Sequence, residues 1–155
     1  LILQHIKIED PGYIKDLMLE GTSLNFIHIG TATANHILRD GYKKPALIAT
    51  KFTMEEEFYK NTLINKNLSP IIPDKKERRF IHKTIYDELC KSVINERSKE
   101  TFINICIKLK KAGADCVILG CTEVCLLLDK QSSPLPVFDT TQIHCESAIM
   151  EALKG

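Results

Sequence analysis

Charge of one sign is the first thing this sequence lacks. Its 21 lysines and arginines stand against 20 aspartates and glutamates over 155 residues, leaving a formal charge of only +1. That balance offers nucleic acid no electrostatic footprint. Basic pairs do occur at Lys43-Lys44, Lys75-Lys76 and Arg78-Arg79, but the last two sit among Asp74 and Glu77, the pattern of a solvated helix face. A long apolar run is missing too. No stretch approaches the ~20 residues of a membrane-spanning helix, and residues 1–8 are too short and too charged for a signal peptide. Glycine is sparse, at seven residues, and builds neither a phosphate-cradling loop nor a dinucleotide fingerprint. The chain opens on Leu1-Ile2-Leu3 without an initiator Met, which reads as a fragment or a trimmed chain.

Cysteine is absent from the first half and then frequent: Cys90, Cys106, Cys116, Cys121, Cys125 and Cys145. No two form a Cys-x-x-Cys pair, so a thiol-redox protein lacks its usual motif. The even number invites disulfides, but the helix and strand patterns around the cysteines supply a core without them. Free thiols in a reducing cytoplasm are expected. Cys116, Cys121 and Cys125 lack the paired, close-set ligands of a zinc site, and no metal is expected. All the cysteines except Cys121 read as core.

What is present is a globular balance, 44% hydrophobic and 26% charged residues, in a chain long enough to bury a real core. Residues 46–50 are an apolar run after Pro45, read as a buried strand that hands over to a helix capped by Thr53 and running to about Asn65. Residues 68–72 read as a short strand closed by Pro73. Asp74 starts a helix in which Phe80, Ile81, Ile85 and Leu89 recur at helical spacing. After a polar break at 95–98 comes a further helix, stopped by Gly113. A strand over 116–119, a helix after Cys121, a strand over 135–138 and a last helix capped by Asp139 or Thr140 complete the order. Residues 1–8 fit a strand and 13–19 a helix. This alternation predicts an α/β fold, a mostly parallel sheet with helices on both faces. Such sheets bind ligands at the carboxyl ends of their strands, where Thr50, Pro73, Cys121 and Asp139 fall.

The most informative stretch is Gly120-Cys121-Thr122-Glu123, directly after Val117-Ile118-Leu119. It reads as a buried strand delivering a thiol to the first turn of a helix, where free N–H groups and the helix dipole favour thiolate. Gly120 permits close approach of a ligand to the backbone. Thr122 suits a hydrogen bond to an anionic substrate group or a helix cap. Glu123 suits a substrate ammonium or the helix dipole. Thr50 stands either as a carboxylate contact or as a plain helix start. His144 faces either the cleft or solvent, while His28 and His82 read as structural.

Several of these stretches together resemble the aspartate/glutamate racemase family, in particular its broad-specificity amino-acid racemase branch. The carriers are the run from Ala46 to Glu55 with Phe58-Tyr59, Ile85-Tyr86-Asp87-Glu88-Leu89-Cys90, the run from Gly113 to Glu123, and the run from Pro136 to His144. Glu123 itself sets the chain apart from the cell-wall glutamate racemases, which usually carry histidine there. The resemblance implies a cofactor-independent racemase of two similar α/β domains, with one cysteine from each domain flanking the substrate α-carbon. It implies Cys121 as the second of those cysteines, Thr122 and Thr50 as substrate contacts with Glu123 beside them, and Lys91 at a place where some relatives carry a substrate-binding lysine. Relatives place the first cysteine in a Cys-Asn-Thr-type motif ahead of the stretch matching residues 26–34, and this sequence has no such motif.

Three expectations follow. Residues 1–41 are a remnant of the first racemase domain, with an internal piece missing at a join near 22–25. Residues 42–137 are the second domain, and 138–155 a C-terminal helix returning to the first. The chain is an amino-acid racemase of aspartate/glutamate type, impaired or inactive for want of the first catalytic cysteine, cytoplasmic, acting on a small-molecule amino-acid substrate and able to form a homodimer. The rival is a non-catalytic domain that binds a small carboxylate or pairs with a partner chain.

Overall fold

A computed structural model describes residues 26–154. The strand and helix expected over 1–8 and 13–19, and the join near 22–25, lie outside the described residues. The chain enters α1 (Ile29–Arg39), passes through β1 (Pro45–Ile48), α2 (Lys51–Glu55), α3 (Glu57–Ile64), α4 (Lys75–Asp87) and α5 (Glu96–Lys111), and reaches β2 (Cys116–Leu119). β3 (Val137–Asp139) and α6 (Thr140–Ala152) follow. Two short 3-10 helices, Leu89–Lys91 and Thr122–Leu126, lie after α4 and after β2.

The three strands form one parallel sheet in the order β1-β2-β3. Register places Ile48 beside Leu119 and Leu119 beside Asp139, so the carboxyl ends of all three strands line up. Every residue of β1 and β2 is buried. Successive strand residues face opposite sides, so both faces of the sheet are covered, as the unbroken apolar runs require. Ile81, Ile85, Phe102 and Leu63 supply much of the helical side of this core. At the amino ends, the Asp115 carboxylate accepts the backbone N–H of Lys43 (2.7 Å) and Lys44 (3.0 Å), clamping the two strand entries together.

Helix ends follow local chemistry. Asp74 and Glu77 form a reciprocal capping box at α4, Asn95 caps α5, and Gly113 (φ +100°) takes the left-handed position just past α5 that glycine adopts without strain. Asp139 rather than Thr140 caps α6, accepting from the N–H groups of Thr141 and Gln142. Thr140 instead donates to the Leu119 carbonyl at 3.0 Å, tying β3 to β2.

Several expectations need correction. Thr50, not Thr53, caps the helix after β1, because the strand ends at Ile48 and the chain turns earlier. The helix expected to reach Asn65 is broken at Glu56 (ψ 151°), so α2 and α3 are separate. Residues 68–72 contribute a single parallel bridge, Ile71 to Ala46. The helix after Cys121 is a 3-10 helix of five residues.

Candidate active site

The site is assembled where β1 and β2 end. The Gly120 N–H donates to the Ile48 carbonyl at 2.8 Å, continuing the ladder beyond the paired residues and bringing residues 49–50 beside residues 120–121. A Cβ on Gly120 would lie 3.1 Å from that of Ala49. The close approach that glycine permits here is therefore by the neighbouring strand end.

Cys121 follows in an extended conformation as the cap residue of the 3-10 helix, half-buried. Its thiol donates to Glu123 Oε2 at 2.8 Å, and the Thr122 hydroxyl donates to the same oxygen at 2.7 Å. The two donors hold the Glu123 carboxyl below its ordinary range, the Cys121 bond contributing most. Burial first, and the bond to Glu123 next, pushes the Cys121 thiol up to about 12. The expected thiolate is thus overturned. A five-residue 3-10 turn has little dipole to offer, and an adjoining carboxylate disfavours a second negative charge. At rest Cys121 is a protonated thiol with its proton already directed at a carboxylate.

Thr50 is buried at the carboxyl end of β1, its Oγ1 3.1 Å from Thr53 Oγ1 and 3.5 Å from the Thr53 N–H. Its hydroxyl is occupied as a helix cap. Lys91 is exposed at the end of the 3-10 helix Leu89–Lys91, which packs against the 3-10 helix carrying Thr122 and Glu123. Cys121, Thr122, Glu123 and Thr50 therefore share one end of the sheet, and Lys91 stands at its outer margin.

Three side chains at this end were not singled out as site residues from sequence. His82 accepts the Lys51 N–H at 3.3 Å, satisfying the first free donor of α2, and its ring packs edge-on to Phe52. That is the structural role expected of it. Tyr86 lies with its ring 4.7 Å from that of His82, and burial together with Cys121, Cys90 and Glu123 raises its phenol. Cys90 is exposed, not core, and its thiol is raised by burial and by Glu123. The spacing of 82 and 86, one turn apart on α4, was the available signal for the first two, while Cys90 lies beyond the end of α4 in the 3-10 helix Leu89–Lys91.

The other thiols divide. Cys106 and Cys116 are buried as expected, Cys125 is half-buried, and Cys145 is exposed on α6. All are free. The Cys125 thiol points back to the Cys121 carbonyl (4.0 Å) and is pushed up to about 12, by burial first and by Asp139 next. Among the described residues no group of three or more His, Cys, Asp or Glu side chains could hold a metal ion. His144 faces neither cleft nor open solvent: its Nε2 lies 2.9 Å from the Ile27 carbonyl. No described helix is long and apolar enough to cross a membrane.

Comparison with known proteins matches this arrangement to a family. The model of Asp/Glu/hydantoin racemases matches residues 13–148. A crystal structure of a candidate Asp/Glu racemase from Yersinia pestis superimposes with a TM-score of 0.85 at 37% identity, over 91% of this chain and 62% of that one. An aspartate racemase homologue from Pyrococcus horikoshii OT3 gives 0.82 at 31% identity, over 92% and 62%. The Picrophilus torridus aspartate racemase, at 23% identity and a TM-score of 0.65, shares the fold. An uncharacterized protein from the pnlA 3′ region of Pectobacterium carotovorum subsp. carotovorum is 27% identical over 118 residues, 75% of this chain and 77% of that protein. The chain thus spans less than two thirds of the length of the solved structures that it matches. With the parallel sheet, the cysteine at the end of its central strand and a family match over most of its length, this chain belongs to the Asp/Glu/hydantoin racemase family.

Proposed function

We propose that the protein is a cofactor-independent amino-acid racemase of aspartate/glutamate type, in which Cys121 exchanges a proton with the substrate α-carbon. The observation that carries this reading is the Cys121 thiol, protonated and aimed at Glu123 at the carboxyl end of β2. A thiol so held is ready as an acid. It becomes a base once a substrate ammonium offsets the Glu123 charge and lowers the cost of thiolate. Thr122 and Glu123 orient the substrate, and Lys91 draws in a carboxylate from the margin. Thr50 reaches the substrate only by giving up part of its capping bond.

Residues 42–137 act in this reading as the second domain of the family, with 1–41 a remnant of the first and the terminal helix returning to it. The packing of α1 against α6 supports that grouping. Six free thiols suit a reducing cytoplasm, and exposed Ile149, Met150 and Leu153 on the α6 end favour pairing with a second copy.

The test is chiral chromatography of L-aspartate and L-glutamate after incubation with the protein, in the presence of a chelator and without added cofactor. Appearance of the D-enantiomer, abolished by Cys121→Ser, is expected. A folded protein that binds these amino acids without producing the D-form would leave the non-catalytic carboxylate-binding reading in its place.

A further inference from the structure

A racemase has to hold the substrate carboxylate while a proton moves at the α-carbon, and in the proposed reading, on which this inference rests, Thr50 is one of the groups that does so. At rest the Thr50 hydroxyl is occupied at the start of α2. Something else has to hold α2 when Thr50 turns to a ligand. We infer that His82 is a positioning residue of this site: its imidazole secures the Lys51 N–H, and with it the start of α2, so that the Thr50 hydroxyl is released to a substrate carboxylate.

By itself α2 is weak. Five residues make too few internal bonds to sustain a helix. Its local cap is long, with Thr50 Oγ1 3.5 Å from the Thr53 N–H, at the limit of a hydrogen bond. The Lys51–Glu55 contact, at 3.8 Å, runs along α2 and anchors it to nothing else.

The anchors come from α4. Arg78 and His82 stand four residues apart on one face of that helix, and each takes one end of α2. Arg78 Nε donates to Glu55 Oε1 at 3.0 Å, and its Nη1 donates to the Pro73 carbonyl at 2.6 Å. His82 Nδ1 accepts the Lys51 N–H at 3.3 Å, from 31 positions away. An Nδ1 that accepts leaves the ring proton of a neutral imidazole on Nε2. Ring contacts on Phe52 at 5.7 Å and Tyr86 at 4.7 Å hold the imidazole in that aim.

The N–H that His82 takes belongs to the peptide joining Thr50 to Lys51, so His82 fixes the plane of the bond next to Thr50. Two residues earlier the Ile48 carbonyl is tied to the Gly120 N–H at 2.8 Å. Thr50 is thereby held between a backbone tie to the Cys121 strand end and a side-chain tie to α4. The donors of the first turn are shared out, Lys51 to His82 and Thr53 to Thr50. Serving the third N–H is the ordinary part of a cap residue, and it is the part that Thr50 gives up on binding. With Lys51 and Glu55 held by α4 and Met54 buried in the core, α2 keeps its place when the Thr50 hydroxyl turns away.

The experiment measures binding of L-aspartate and L-glutamate by calorimetry and their racemisation by NMR. It compares the unaltered chain with His82→Phe, which keeps a ring but no acceptor, and His82→Asn, whose Oδ1 accepts in place of Nδ1. Both are repeated in a Thr50→Val background. His82→Phe should weaken binding and raise KM about tenfold, the order of one hydrogen bond to a carboxylate, with kcat little changed. His82→Asn should restore most of that loss, and in Thr50→Val the His82→Phe change should add nothing. Full-strength binding by His82→Phe would overturn the inference. So would an equal loss in the Thr50→Val background, the mark of a merely structural role. A reading that needs no variant is the ¹⁵N signal of His82 Nδ1, which should be that of an unprotonated nitrogen with and without bound amino acid. A protonated Nδ1 would overturn the inference as well. Binding without racemisation by the unaltered chain would overturn the racemase reading and leave the binding cycle to decide His82. No binding of either amino acid would overturn both.

Discussion

Cys121 and Glu123 are joined by a 2.8 Å contact whose direction decides the resting chemistry. Because the thiol is the donor, proton and negative charge sit on different residues, and each group is displaced away from the other's range. The linkage has a definite sign. The folded value, about 12, lies above the ordinary 9.0, so the contribution to stability is complete below 9 and is lost as pH rises towards 12. Glu123→Gln removes the anionic acceptor and should lower the Cys121 titration, read as ultraviolet thiolate absorbance and absent in a Cys121→Ser background. An unchanged midpoint would mean that burial alone holds the thiol protonated. Of these roles, the sequence carried the identity of the cluster, since Cys121, Thr122 and Glu123 are contiguous. It did not carry their protonation, because desolvation and bond direction depend on what surrounds the turn.

β2 was legible to the residue, bounded by Gly113-Ala114-Asp115, whereas β1, expected over 46–50, begins at Pro45 and ends two residues early at Ile48. Capping was legible wherever the signal was local, as at Asp74 with Glu77. It failed at Thr50 and Thr53, two threonines equally able to cap, where the length of the strand chooses between them. The turn after Cys121 failed for a related reason. Thr122 to Leu126 has nothing against a helix in its composition, and the 3-10 turn ends where Leu127 and Leu128 enter the core. Where the strands end, Gly120 sets how closely they approach. Gly120→Ala should place a methyl 3.1 Å from the Ala49 Cβ, force the two ends apart and cost about 1–3 kcal/mol, measurable as a shift in urea midpoint. A neutral result would show that the strand ends yield freely, and the site should then keep its geometry.

The chain is closed by helices distant in sequence. α1 packs on α6 and α3, and His144 of α6 meets the Ile27 carbonyl across 117 positions. Beside it His28 caps α1, accepting the Thr31 N–H on Nδ1 at 3.3 Å. Burial first, and the neighbouring His144 next, lowers the His28 titration below 6.5. Its stabilising effect is therefore present above 6.5 and lost as pH falls through the depressed folded value. His28→Asn keeps a capping side chain but cannot titrate. The melting temperature of the unaltered chain should fall on acidification below 6.5 more steeply than that of the variant, and parallel curves would show that His28 is not the group responsible.

Composition and order of residues were enough to establish the α/β class, the parallel central strands and the placing of Cys121 at a strand end. Those properties rest on period, apolar run length and local turn chemistry, all of which act between near neighbours in the chain. The proton on Cys121, the cap at Thr50 and the tie from His144 to residue 27 were settled by packing. Each joins or displaces groups through desolvation and close approach across long stretches of chain, and that information exists only once the helices have closed over the sheet.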